Sequence, residues 1–329
     1  MFHRILVPLD GSQRAEQALP VAARLARASQ GTLILVRAVS SVAVMALSPE
    51  TMMAFQQASE AEFEEAKVYL KYMANLNSLA GIRVETEVIQ DHATVAILSV
   101  AEDRSVDLIV LCSHGYTGMK RWMLGSVAEK VLRHAVVPIL LLHEDGPTLV
   151  DTSSRTDGSI HAFIPLDGSE RAKAVIFPTI QLLSALVSPD SGVLHLTLAA
   201  VLPVNKKMHA NEHENIVYEV KQYLSATTEQ TREEMTAILT PDLKFSVTWL
   251  VTSDEDIAEG INYLAEESQD TEEPGTRSSE LIAMTTHGYN GLRRWTMGSI
   301  TERVLHSTRL PVFIVRPTDM MGTKEDKIV

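Results

Sequence analysis

Two glycine-rich segments carry the residues with the clearest chemical use. Residues 114–126 (HGYTGMKRWMLGS) recur as 287–299 (HGYNGLRRWTMGS), with eight of thirteen positions identical. Each copy follows an apolar run, 108–111 or 281–284, and opens an amphipathic stretch, VAEKVL or ITERVL. A glycine loop between a strand end and a helix start gathers main-chain N–H groups that no intrahelical carbonyl satisfies, which suits an anion. A phosphorylated ligand is therefore the first chemistry to consider. The stretches Ser126-Val-Ala-Glu129 and Ser299-Ile-Thr-Glu302 also fit a capping box, in which serine and glutamate satisfy the helix's own amides. A cap alone leaves Gly115, Gly118 and Gly125, with their second-half counterparts, unexplained.

A second repeated element is the turn VPLDGS around Asp10, matched by IPLDGS around Asp167. Its carboxylates can serve a ligand or a divalent ion, or simply form the turn that Asp-Gly-Ser favours. His114 and His287 lack a matched nucleophile with an orienting partner, so a histidine bound to local backbone is the plainer account. Arg121 and Arg294 can reach phosphate or cover apolar surface. Trp122 and Trp295 read as packing anchors. Cys112 reads as a small apolar residue at a strand end. No GxxxxGK[ST] loop occurs, nor a kinase-like set of Lys, Asp and Asn, nor SGGxDS. Fast phosphoryl transfer needs positioned cations, so the chain reads as a binder with slow or absent hydrolysis rather than as an efficient enzyme.

The elements that must position these residues alternate in type. Apolar runs at 5–9, 33–39, 84–89, 106–112 and 137–142 read as strands. Helical spacing runs from Ser12 through Leu25, from Pro49 along Met52, Phe55, Phe63, Ala66, Leu70 and Met73, and over 94–102 and 126–134. The second half repeats the order, with strands at 162–166, 194–202, 245–251, 280–285 and 312–315 and helices at 169–186, 212–239, 254–266 and 299–307. This alternation predicts an α/β fold: two tandem Rossmann-like domains, each a five-stranded parallel sheet covered on both faces. The domains are expected at 1–145 and 160–329, with 146–159, rich in Gly, Ser, Thr and Asp, as linker. Asp10 and Asp167 are 157 positions apart and His114 and His287 are 173 apart, so the second half has 16 extra residues. The polar stretch 267–280 is one place for them. In such sheets ligands sit beyond the strand carboxyl ends where the winding reverses. If the first and fourth strands are neighbours there, the Asp turn and the glycine loop line one crevice.

Composition narrows the partners. The chain has 329 residues, 45% hydrophobic and 22% charged, with a net charge of −13. That balance argues against nucleic acid and against an anionic membrane surface, while a mononucleotide's charge can be met locally. One cysteine excludes an internal disulfide. No apolar run suits a membrane span, and the N-terminus lacks a signal-peptide layout, so a cytoplasmic setting is expected.

VPLDGS, DLIVLCSHG and GYTGMKRWMLGSVAEKVLRHAVVPILLL closely resemble the universal stress protein family, and the chain resembles a tandem, two-domain member. The resemblance implies the adenine nucleotide alpha hydrolase-like version of the fold. The family's ATP-binding members carry Gly, two residues, Gly, nine residues, then Gly and Ser or Thr. Gly115 with Gly125–Ser126, and Gly288 with Gly298–Ser299, fit that spacing. The first glycine falls instead on Cys112 and Thr285, which weakens binding if that position needs positive φ and costs little if it is extended. By resemblance, Pro8 and Asp10, with Pro165 and Asp167, lie beside the nucleoside and phosphates, with Mg²⁺ as an optional bridge. Backbone near Ala38 and Val201 meets the adenine edge. Leu111 and Cys112, with Met284 and Thr285, flank the ribose. Gly115, Gly125, Ser126 and Val127, with Gly288, Gly298, Ser299 and Ile300, hold the phosphates. ATP is the expected ligand, with ADP and AMP not separable. The acidic residues at 270–273 predict weaker occupancy of the second site. The alternative is a nucleotide-free interaction module, in which the apolar edges PILLL and PVFIV pair as an intramolecular pseudo-dimer or in a homodimer.

Overall fold

A computed structural model describes residues 2–39, 49–113, 124–143, 146–147, 149, 158–187, 192–204, 210–266, 279–286 and 297–317. Contacts divide the chain into two units, Met1–Glu144 and Asp145–Val329. In unit 1 the elements run β1 (Arg4–Pro8), α1 (Gln13–Glu16), α2 (Ala18–Ser29), β2 (Thr32–Val39), α3 (Pro49–Ala74), β3 (Arg83–Gln90), α4 (Ala93–Asp103), β4 (Leu108–Cys112), α5 (Ser126–His134) and β5 (Ile139–Leu142). All its strand pairs are parallel, in the order β3-β2-β1-β4-β5. Unit 2 repeats this with β6 (Ile160–Pro165), α6 (Glu170–Lys173), α7 (Ile176–Leu186), β7 (Val193–Pro203), α8 (Ala210–Ile238), β8 (Lys244–Asp254), α9 (Ile257–Glu266), β9 (Leu281–Thr285), α10 (Ser299–Ser307) and β10 (Val312–Val315). Its order is β8-β7-β6-β9-β10, again all parallel.

The central strands of such a sheet are hydrophobic because helices cover both faces, while β3 and β8 at the ends of the order carry polar residues. Ile5, Leu6 and Val7 of β1, and Leu108, Ile109 and Val110 of β4, are fully buried. The steps β1 to β2 to β3 run one way across the sheet and carry α2 and α3 on one face; the return to β4 and β5 puts α4 and α5 on the other. In agreement, α2 packs on β1 and β4, α3 on β2 and β3, and α4 against α5. Ala66, Leu70 and Met73 are the buried stripe of α3; the Met52 and Phe55 side chains lie outside the described residues.

The helix expected from Ser12 onward is two helices, and so is its counterpart from Ser169. The cause is a proline in the first turn of each following helix. Pro20 has no N–H for the Glu16 carbonyl and Pro178 none for Ala174, and each ring crowds that carbonyl. Accordingly α1 ends at Glu16 and α6 at Lys173. The end of α2 depends on Gly31, whose N–H donates to the Ala26 carbonyl at 2.8 Å. A Cβ there would stand 2.5 Å from the His3 carbonyl oxygen, so only glycine lets the chain pass the start of β1.

The 16 extra residues of the second half enter at two places. Matched positions are 157 apart at Pro8 and Pro165, 163 apart at their strand partners Val36 and Ala199, and 173 apart at Asp107 and Glu280. Six residues therefore enter before β7 and ten between β8 and β9, rather than all in the polar stretch 267–280.

Ile109→Ala removes a fully buried side chain from β4. It is expected to cost unit 1 about 2–5 kcal/mol, read as a lower urea midpoint in chemical denaturation; an unchanged midpoint would contradict the packing described.

Candidate functional site

Both repeated motifs stand at the carboxyl ends of neighbouring strands. β1 lies between β2 and β4, so the winding reverses there, and β6 holds the same place in unit 2. The Asp turn and the glycine loop thus leave adjacent strand ends in each unit, the arrangement on which the crevice depends.

The Asp turn is built the same way twice. Asp10 Oδ1 accepts from the Ser12 N–H at 2.9 Å and from its hydroxyl at 2.6 Å. Asp167 Oδ1 accepts from Ser169 at 3.0 and 2.6 Å. Gly11 and Gly168 take φ of +87° and +86°, which a side chain would oppose. Ser12 and Ser169 cap α1 and α6, accepting from Ala15 at 3.2 Å and Ala172 at 3.1 Å. One oxygen of each aspartate is therefore spent on the turn, while both residues stay exposed.

The glycine loops are anchored rather than capped. The Gly125 N–H donates to the Ser113 carbonyl at 2.7 Å, and Gly298 donates to Thr286 at 2.8 Å. The loop thereby returns to the strand end it left. Gly125 and Gly298 are themselves the N-cap residues of α5 and α10, and neither helix start has a side-chain cap. The capping box is therefore not formed: Ser126 and Ser299 are the first helical residues, one position too late to cap. Glu129 is engaged instead by Arg133, at 3.1 Å. Ser126 and Val127 face solvent, as does Ser299, with Ile300 partly exposed. The first turn of each helix is thus reachable by a ligand. Gly115, Gly118, Arg121, Trp122 and His114, with Gly288, Arg294, Trp295 and His287, lie outside the described residues.

Cys112 and Thr285 are ordinary strand residues. They end β4 and β9 in register with Leu142 and Val315, and neither has positive φ. Replacing glycine there costs the backbone little. Leu111, Met284 and Thr285 are buried, Cys112 partly so. Pro8 and Pro165 close β1 and β6, while Ala38 and Val201 lie two residues past their strand partners Val36 and Ala199. All described candidates therefore gather at one edge of each unit's sheet.

A profile of the universal stress protein family matches residues 1–143 and 256–316. The chain belongs to that family. The match takes in the first half throughout and the second half from Asp256. The universal stress protein YxiE of Bacillus subtilis is 33% identical over 148 residues, covering 43% of this chain and 99% of that protein. A universal stress protein of Mycolicibacterium smegmatis is 23% identical over 317 residues, covering 95% of this chain and 97% of that one. Among solved structures, a universal stress protein from Archaeoglobus fulgidus shares the fold, with a TM-score of 0.60 at 19% identity over 96% of this chain and 97% of that one.

Sequence reasoning missed two clusters in this family member. At the carboxyl edge, Tyr69 on α3 donates its hydroxyl to Glu16 at 2.9 Å, and Tyr223 on α8 donates to the Ser169 carbonyl at 3.4 Å. Burial is the main cause that pushes both phenols well above their ordinary pKa, reinforced by Glu16 for Tyr69 and by Glu170 and Asp167 for Tyr223. At the opposite edge of unit 2, His161 Nε2 meets the Thr197 hydroxyl at 2.8 Å, and Thr197 meets Thr248 at 3.1 Å. The tyrosines fall at no shared sequence offset with the Asp turns, so only the packing reveals them.

Ser12→Ala removes a real cap and is expected to cost about 1 kcal/mol, whereas Ser126→Ala should stay within about 0.5 kcal/mol of the parent. Urea unfolding of both variants checks this; equal losses would restore the capping box.

Proposed function

We propose that each unit binds one adenine nucleotide, ATP or a shorter relative, at the carboxyl edge of its sheet, and hydrolyses it slowly or not at all. The observation that carries this reading is the uncapped first turn of α5 and α10, beginning at a glycine and held beside the Asp turn. Unpaired helix amides in that position attract phosphate. From its second glycine onward the spacing matches the signature of the family's ATP-binding members in both halves, and YxiE, matched almost whole by 43% of this chain, supports a chain of two family domains.

Among the described residues no group of three His, Cys, Asp or Glu is placed to hold a metal ion. Asp10 and Asp167 offer single carboxylates, each with one oxygen already in the turn. That donor set fits Mg²⁺ carried by the nucleotide's own phosphates and only touched by the protein. No described helix is long and apolar enough to cross a membrane; a cytoplasmic location is part of this reading.

A second reading of the same fold is a nucleotide-free interaction module. β5 and β10 are short, uncharged strands at one end of their own unit's order, and pairing through such edges would carry the function instead.

Equilibrium dialysis with labelled Mg·ATP should show saturable uptake. Gly125→Ala and Gly298→Ala should each weaken one site, with the larger effect on overall uptake from Gly125→Ala. Absence of uptake by the parent protein favours the interaction module, and rapid single-turnover cleavage of ATP contradicts slow hydrolysis.

A further inference from the structure

Arg37 stands near the end of β2, and its side chain reaches back to the Asp turn. Its Cζ, Nη1 and Nη2 atoms are each 3.5 Å from the point a Cβ on Gly11 would occupy, so the guanidinium lies flat against that turn. It also lies over the Tyr69 ring, 4.9 Å from the centroid. Tyr69 in turn donates its hydroxyl to Glu16, so that carboxylate is engaged with the phenol. Among the described residues no carboxylate pairs with Arg37. A guanidinium stacked on an aromatic face keeps its N–H edge, and that edge matches two phosphate oxygens.

Unit 2 is wired differently. Val36 pairs with Pro8 as Ala199 pairs with Pro165, so the counterpart of Arg37 is Ala200. The cation over Tyr223 is Lys173, 4.8 Å from the ring centroid, supplied by α6 from the position Glu16 holds in unit 1. Its Nζ is already bonded to Glu170 at 2.7 Å. Both tyrosines thus carry a cation; Lys173 has an acid partner, and among the described residues Arg37 has none.

We propose that Arg37 binds a phosphate group of the nucleotide in unit 1, and that its replacement by Ala200 makes unit 2 the weaker site. This rests on the nucleotide reading above. Aspartate and guanidinium share the turn after β1, so a phosphate beside Asp10 meets fixed positive charge without a bound metal. In unit 2 the matching residue, Ala200, brings no charge to that phosphate.

The test is equilibrium dialysis of the full chain with ATP, AMP and adenosine, using the parent and the variants Arg37→Gln, Arg37→Lys and Lys173→Gln. Arg37→Gln should weaken the tighter site about tenfold or more for ATP and AMP and leave adenosine unchanged. Lys173→Gln should leave that site as it was. Equal loss for adenosine and AMP would mean that Arg37 only shapes the pocket, and would overturn the proposal. Unchanged ATP affinity would overturn it too. Should the glutamine variant unfold, Arg37→Lys carries the same comparison, with weaker ATP and unaltered adenosine binding expected. If the parent protein takes up none of the three ligands, the nucleotide reading itself fails and the role of Arg37 goes with it; phosphate-blind binding by the parent removes the role of Arg37 alone.

Discussion

One main-chain hydrogen bond, made once in each unit, decides where the helix after the glycine loop begins. The Gly125 amide donates to the Ser113 carbonyl, and the Gly298 amide to Thr286. Each bond brings the far end of a glycine loop back to the strand it left, so the helix that follows starts at the sheet edge. Gly125 and Gly298 have ordinary extended dihedrals, φ −63° in both. Neither therefore uses backbone that only glycine can adopt. A capping serine at these positions would satisfy the amides internally and close the helix end to an anion.

The two units preserve one sheet edge and have diverged at the other. The Asp turn keeps its hydrogen-bond lengths to within 0.1 Å between the copies. At the amino edge, Arg4, Glu85, Glu87 and Arg104 form a partly exposed ion cluster in unit 1. Unit 2 has His161, Thr197 and Thr248 in the matching strands, linked by side-chain hydrogen bonds. Exposed ion pairs contribute little to stability, so either solution serves a strand start. What both retain there is a carboxylate that accepts from the first strand amide: Asp107 from Arg4 at 3.0 Å, Glu280 from His161 at 2.5 Å.

Much of the fold was legible in the residue pattern, because the central strands had to be apolar along most of their length and each helix along one stripe. That constraint is local, and the strands and long helices appear where the periodicity puts them. The boundaries that shifted did so for reasons a periodicity does not carry. Apolar spacing runs straight through Gln17 and Ala174, while Pro20 and Pro178 break the hydrogen bonding four residues earlier. Likewise S-x-x-E is a capping box only if serine precedes the helix, and here the loop anchor moves the start one residue forward.

By itself the sequence determined that a unit is written twice, that each copy alternates strand and helix, and that glycines and an aspartate recur at fixed spacing. These follow from residue types and intervals along the chain. Only the tertiary structure decided that β1 sits between β2 and β4, that Cys112 and Thr285 are plain strand residues, and that Arg37 meets Gly11 and Tyr69 while Ala200 leaves its place to Lys173. The physical reason is that such contacts join residues tens of positions apart, across strands whose order no local pattern encodes.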